Sequence, residues 1–140
     1  MPQAMKQATC DVQASASSLR ILVIDDNQDS ADSLAMMLEL LGHEVRSATD
    51  GLAGLETARV FLPEVMFLDI LMPRLSGYDL ARSIREQQWG KHVSLVALSG
   101  WGSDDDQRRV REAGFNHHLL KPVDFDAMLA LLSNVAQNRQ

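Results

Sequence analysis

The chain predicts an α/β domain built on a parallel sheet, and three observations carry that prediction. Short apolar runs and stretches of helical period alternate five times between residues 20 and 138. The runs at 21–24, 65–68 and 93–98 are nearly continuous in apolar residues, as in strands buried on both faces. Four of the five runs then end in a polar or charged residue and a loop. Parallel strands joined by right-handed helical crossovers bring such endings to one edge of the sheet, with helices on both faces.

Taken in order, residues 1–19 are rich in Ala, Ser and Gln, show neither a helical stripe nor strand alternation, and are expected to form a disordered leader. The folded domain is expected at 20–138. Ile21-Leu22-Val23-Ile24 ends abruptly in Asp25-Asp26-Asn27. Leu34, Met37, Leu38 and Leu41 then recur at i, i+3, i+4 and i+7, one helical stripe stopped by Gly42. The short alternating segment 43–48 reads as an edge strand, Asp50-Gly51 as a turn, and 52–61 as a helix weakened by Gly54 and closed before Pro63.

Val65-Met66-Phe67-Leu68 delivers Asp69, and a loop containing Met72-Pro73 follows. Residues 78–88 form a third helix, with Leu80, Ala81 and Ile84 on one face. The run 93–98 leads into Ser99-Gly100-Trp101-Gly102, after which Ser103 caps a helix. Asp104, Asp105 and Asp106 in its first turn and Arg108, Arg109 and Arg111 later match the helix dipole, which explains the acidic triplet without a metal. Residues 116–120 form the last strand, ending in Lys121-Pro122, and Phe125, Met128, Leu129 and Leu132 define the stripe of the last helix.

Composition narrows the function classes. With 46% hydrophobic and 23% charged residues the chain has the makeup of a globular domain, which sets a disordered chain aside. A net charge of −6 and the lack of a dense Lys/Arg run oppose direct nucleic-acid binding. Cys10 is the only cysteine, so neither a disulfide framework nor a cysteine metal site can form. No run approaches the length of a membrane span and no secretion signal is apparent, so a cytoplasmic location is expected.

The carboxyl edge of the sheet is where chemistry is expected. Asp25 and Asp26 follow the first strand, Asp69 the third, Ser99 the fourth and Lys121 the fifth. Three crowded carboxylates repel one another and call for a hard divalent cation such as Mg2+. Lys121 and Ser99 bring a positive charge and a hydroxyl donor for an anionic oxygen. One carboxylate is then free to attack phosphorus.

Asp25-Asp26, Asp69 followed by Met72-Pro73 and Gly77, Ser99-Gly100, and Lys121-Pro122 together resemble the receiver domain of bacterial two-component response regulators. The resemblance covers about 20–135. It implies a flavodoxin-like sheet of order 2-1-3-4-5, with the acids of strands one and three side by side. It implies Asp69 as phosphoacceptor, served by the phosphohistidine of a histidine kinase or a histidine phosphotransfer protein. Mg2+ or Mn2+ would be bound by Asp26, Asp69 and the backbone carbonyl of Leu71, with Asp25 acting mainly through a metal water. Lys121 would pair with the phosphoryl group, Ser99 would swing toward it, and His118 would be the coupled switch residue. The Lys121-Pro122 peptide would be cis.

Ser99 stands where Thr is more frequent in the family, and His118 where Tyr or Phe is usual. The resemblance implies that Leu71 and Trp101 would border the approach of the hydrolytic water, and they are expected to tune phosphoryl lifetime. Trp101, His118 and Phe125 mark the surface of the fourth helix, fifth strand and fifth helix as the face for a downstream protein, a phosphorylation-dependent dimer being one form of that contact. The stretch 114–124 also looks like receivers at the ends of hybrid kinases, while the start at Met1 favours a stand-alone regulator.

Two rivals fare worse. A phosphatase of the haloacid dehalogenase type needs an acid two residues past its nucleophile, where this chain has Leu71. A dinucleotide or flavin carrier would not place Asp25-Asp26 where a phosphate sits, and no Gly-x-Gly-x-x-Gly follows the first strand.

Overall fold

The computed structural model describes residues 18–72, 75–100 and 102–138. Among the described residues five strands alternate with five helices: β1 Arg20–Ile24, α1 Gln28–Leu40, β2 Glu44–Ala48, α2 Gly51–Phe61, β3 Val65–Asp69, α3 Gly77–Glu86, β4 Ser94–Ser99, α4 Asp104–Glu112, β5 His117–Leu120 and α5 Phe125–Asn138. A single 3-10 turn at Gln88–Gly90 follows α3. All strand pairs are parallel and the sheet order is β2-β1-β3-β4-β5, as expected.

Side-chain alternation along the strands divides the core into two layers. Ile21, Val23, Val65, Phe67, Val96, Leu98 and Leu119 face α1 and α5. Leu22, Ile24, Met66, Leu68, Leu95 and Ala97 face α2, α3 and α4. The central strand β3 is buried at all five positions, which explains its unbroken apolar sequence.

Helix starts are fixed by side chains that the sequence supplies. Asn27, Asp50, Ser76 and Ser103 each accept a backbone N–H from the first turn of α1, α2, α3 and α4. At α4 the cap is reciprocal, because Asp106 also accepts from the N–H of Ser103. Gly42 and Gly114 adopt left-handed backbone after α1 and α4.

Two expectations need correction. Leu19 is not leader: it is 1% exposed, its N–H donates to Nδ1 of His43 at 3.1 Å, and its carbonyl accepts from Glu44. The packed region therefore takes in Leu19, whose strand-like pairing continues β1 by one residue; residues 1–17 of the expected leader lie outside the described residues. In α5 the buried residues are Met128, Leu131, Leu132 and Val135. Phe125 and Leu129, placed in the stripe by spacing, are exposed at 44% and 36%. Both spacings fit a helix, and contact with β5 and α1 selects the one rotated toward Leu131 and Val135.

Candidate functional site

Strand register brings the chemistry together. Ile24 of β1 pairs with Leu68 of β3, so Asp25 and Asp69 leave adjacent strands at the same level. Ser99 pairs with Leu120, and Lys121 N–H donates to the Ser99 carbonyl at 2.8 Å, which sets Lys121 beside both acids. One carboxylate oxygen from each of Asp25, Asp26 and Asp69 falls within a 4.8 Å cluster. Lys121 Nζ lies 3.3 Å from Asp25 Oδ2 and 3.5 Å from Asp69 Oδ1.

Asp25 and Asp69 are buried, at 2% and 6% exposure, while Asp26 is exposed. Burial pushes the Asp69 carboxyl up to about 6, and the negative charge of Asp25 adds to the rise. Lys121 and the N–H of Leu71, 3.2 Å from Oδ1, oppose it. The donor set is oxygen only and excess negative, which suits a hard divalent cation and leaves soft metals without a ligand. Neutralising that repulsion is what such an ion would supply.

The loop after β3 is held close by α3. The N–H of Gly77 donates to the carbonyl of Ile70 at 2.8 Å, and a Cβ at Gly77 would lie 2.7 Å from both the Asp69 carbonyl oxygen and Ile70 Cα. Glycine is required there by space. The sequence reading counted Gly77 as part of a motif but missed this reason, since periodicity carries no information on inter-element approach.

Ser99 is buried at the end of β4, and its Oγ lies 2.7 Å from His118 Nε2. Leu71 is 60% exposed beside the acids. The Lys121-Pro122 peptide is cis. Trp101 and Pro73 lie outside the described residues. Sequence reasoning also missed a cleft of about 820 Å³ between the start of α2 and the loop after β3, lined by Asp26, Thr49, Gly51, Leu52, Met72 and Leu75. No pattern within one segment could have found it, because its walls come from three loops.

Comparison with known proteins agrees with this geometry. Residues 21–133 match the family model of the response regulator receiver domain. The chain belongs to the response regulator receiver domain family.

Within that family it is 30% identical to protein PilH of Pseudomonas aeruginosa, over 83% of this chain and 96% of that one. It is 30% identical to the DNA-binding dual master transcriptional regulator RpaA of Synechocystis, over 79% of this chain and 46% of the regulator, so it spans under half of that protein. Among solved structures, the receiver domain of sensor histidine kinase PA1611 of Pseudomonas aeruginosa superposes with TM-score 0.78 at 27% identity. The superposition covers 86% of this chain and 99% of that domain, which carries a magnesium ion in its active site cleft. As a receiver domain this chain is a two-component signalling switch. No helix among the described residues is long and apolar enough to cross a membrane.

Proposed function

We propose that Asp69 is the phosphoacceptor of this receiver, taking a phosphoryl group from the phosphohistidine of a histidine kinase or histidine phosphotransfer protein. The observation that carries the reading is the placement of a buried Asp69 between two further acids and Lys121 Nζ, 3.5 Å from its Oδ1. A carboxylate oxygen of Asp69 attacks phosphorus, the P–N bond breaks, and the electron pair returns to the donor imidazole.

Asp26, Asp69 and the Leu71 carbonyl are the proposed direct ligands of Mg2+ or Mn2+, with Asp25 reaching it through water. The ion, when bound, screens charge between the acids and the incoming phosphoryl oxygens. Lys121 exchanges its carboxylate partners for a phosphoryl oxygen, and Ser99 donates its hydroxyl to another. Self-phosphorylation from small donors and self-dephosphorylation use the same groups, with Leu71 and Trp101 setting lifetime.

The proposed downstream face is α4, β5 and α5, where Leu120 and Phe125 are 51% and 44% exposed. Contact with a target protein or a second phosphorylated copy would occur there, without direct nucleic-acid binding, in the cytoplasm. Residues 1–19 are proposed to be a leader outside the receiver, apart from the packed Leu19.

Incubation with acetyl phosphate and Mg2+ tests the assignment by intact mass. One phosphoryl group should be added to the parent chain, and none with chelator or in Asp69→Asn. Full labelling of Asp69→Asn would overturn it.

A further inference from the structure

His118 is joined to the site through one atom. Its Nε2 lies 2.7 Å from Ser99 Oγ, and Ser99 is buried at 5% exposure, so the hydroxyl has few directions to choose from. A serine hydroxyl carries a single proton. A phosphoryl group offers acceptor oxygens, so Ser99 engages it as a donor only if that proton is not already given to His118.

An imidazole with a bare Nε2 takes the proton of Ser99. A ring with a proton on Nε2, as the neutral Nε2–H tautomer or as the imidazolium, reverses the bond: Nε2–H donates to Oγ, and the hydroxyl proton turns outward. The phosphoryl group also carries close to two negative charges in place of the one on the Asp69 carboxylate, a net gain of about one on the far side of Ser99, which favours a cation at His118. Hydrogen-bond direction requires a proton on Nε2, and the added negative charge favours the imidazolium over the neutral tautomer.

We propose that His118 is a positioning residue whose protonation is linked to phosphorylation: the state in which Ser99 donates to the phosphoryl group on Asp69 carries a proton on His118 Nε2. This rests on the reading of Asp69 as phosphoacceptor.

The surroundings permit such a change. Burial holds the ring below the ordinary histidine range, and Asp106 in the first turn of α4 opposes that. Arg111, also from α4, and His117 line the same 410 Å³ groove as His118. Lys121 follows three residues on, with its ammonium beside Asp25 and Asp69. The neighbouring strand β4 contains no titratable residue, and α5 brings only the exposed Asp126. Burial favours the neutral ring at rest, and Asp106 together with the phosphoryl charge favours the protonated one.

The test is a histidine-ring NMR titration of the 15N-labelled chain with Mg2+, without and with beryllofluoride as phosphoryl analogue. The His118 midpoint should rise by about one unit on analogue binding, which by linkage weakens the analogue up to about tenfold as pH rises through the two midpoints. The sign follows because binding takes up a proton between them. In His118→Phe that component of the pH dependence should vanish while the component due to Asp69 stays. Analogue binding with an unmoved or lowered His118 midpoint overturns this proposal alone. Failure of the analogue to bind at any pH overturns both it and the phosphoacceptor reading.

Discussion

Asp69 sits between opposing charges, Asp25 on one side and Lys121 on the other, and its reactivity follows from their balance. Burial and Asp25 hold its carboxyl at about 6, so at neutral pH it is ionised but poorly solvated, a condition that favours bond formation to phosphorus. The neighbouring Leu71 is proposed to govern the reverse process. Hydrolysis of the acyl phosphate needs a water in line with the scissile bond, and a 60% exposed leucine has no group to orient one. Leu71→Asn should therefore release phosphate severalfold faster, equivalent to about 1 kcal/mol of better water placement. Phosphate release followed after removal of donor checks this, and an unchanged rate would remove Leu71 from the account. At this scale the gathering of side chains was legible: Asp25, Asp26, Asp69, Ser99 and Lys121 each end or follow a strand, and strand ends can be read from a sequence. The contact between Ser99 Oγ and His118 Nε2 could not be, because it depends on register between β4 and β5.

At the scale of elements, α3 is the clearest case of a helix fixed by contact with the site. Its first residue, Gly77, touches the backbone of Asp69 and Ile70 so closely that a methyl group would lie 2.7 Å from two backbone atoms. Backbone cannot rotate aside as a side chain can. Gly77→Ala should cost about 2 kcal/mol in urea unfolding, within the range for overpacking, and should slow phosphorylation by displacing the loop after β3. Gly100→Ala, with nothing within 4 Å of a new Cβ, should leave stability nearly unchanged. Equal effects of the two would contradict the packing argument. Element existence was readable from periodicity and caps, as Asn27, Asp50, Ser76 and Ser103 attest. The rotation of α5 was not, since Leu129 and Leu131 are chemically alike and only the neighbouring α1 and β5 decide which is buried.

At the scale of the whole molecule, two sets of groups act oppositely on stability between pH 7 and pH 5. His43, His117 and His118 are all held below the ordinary histidine range by burial. Their folded pKa values lie below the unfolded one, so the stability they confer is present above about 6.5 and is lost as pH falls. Asp69 has the reverse sign. Its folded value of about 6 exceeds the unfolded 3.8, so its ionised form destabilises the fold at neutral pH and acidification relieves that cost. With metal chelated, Asp69→Asn should lose on the order of 1 kcal/mol more stability from pH 7 to pH 5 than the parent, because the relieving group is gone. Urea unfolding at the two pH values checks this, and parallel losses would show that Asp69 is not perturbed in the fold. The claim on which all else depends is that the phosphoryl group resides on this one carboxylate. Borohydride reduction of the phosphorylated chain converts an aspartyl phosphate to homoserine, and peptide mass spectrometry then locates it: homoserine at position 69 alone is the predicted result, and homoserine at position 25 or 26, or at none of the three, would contradict the account.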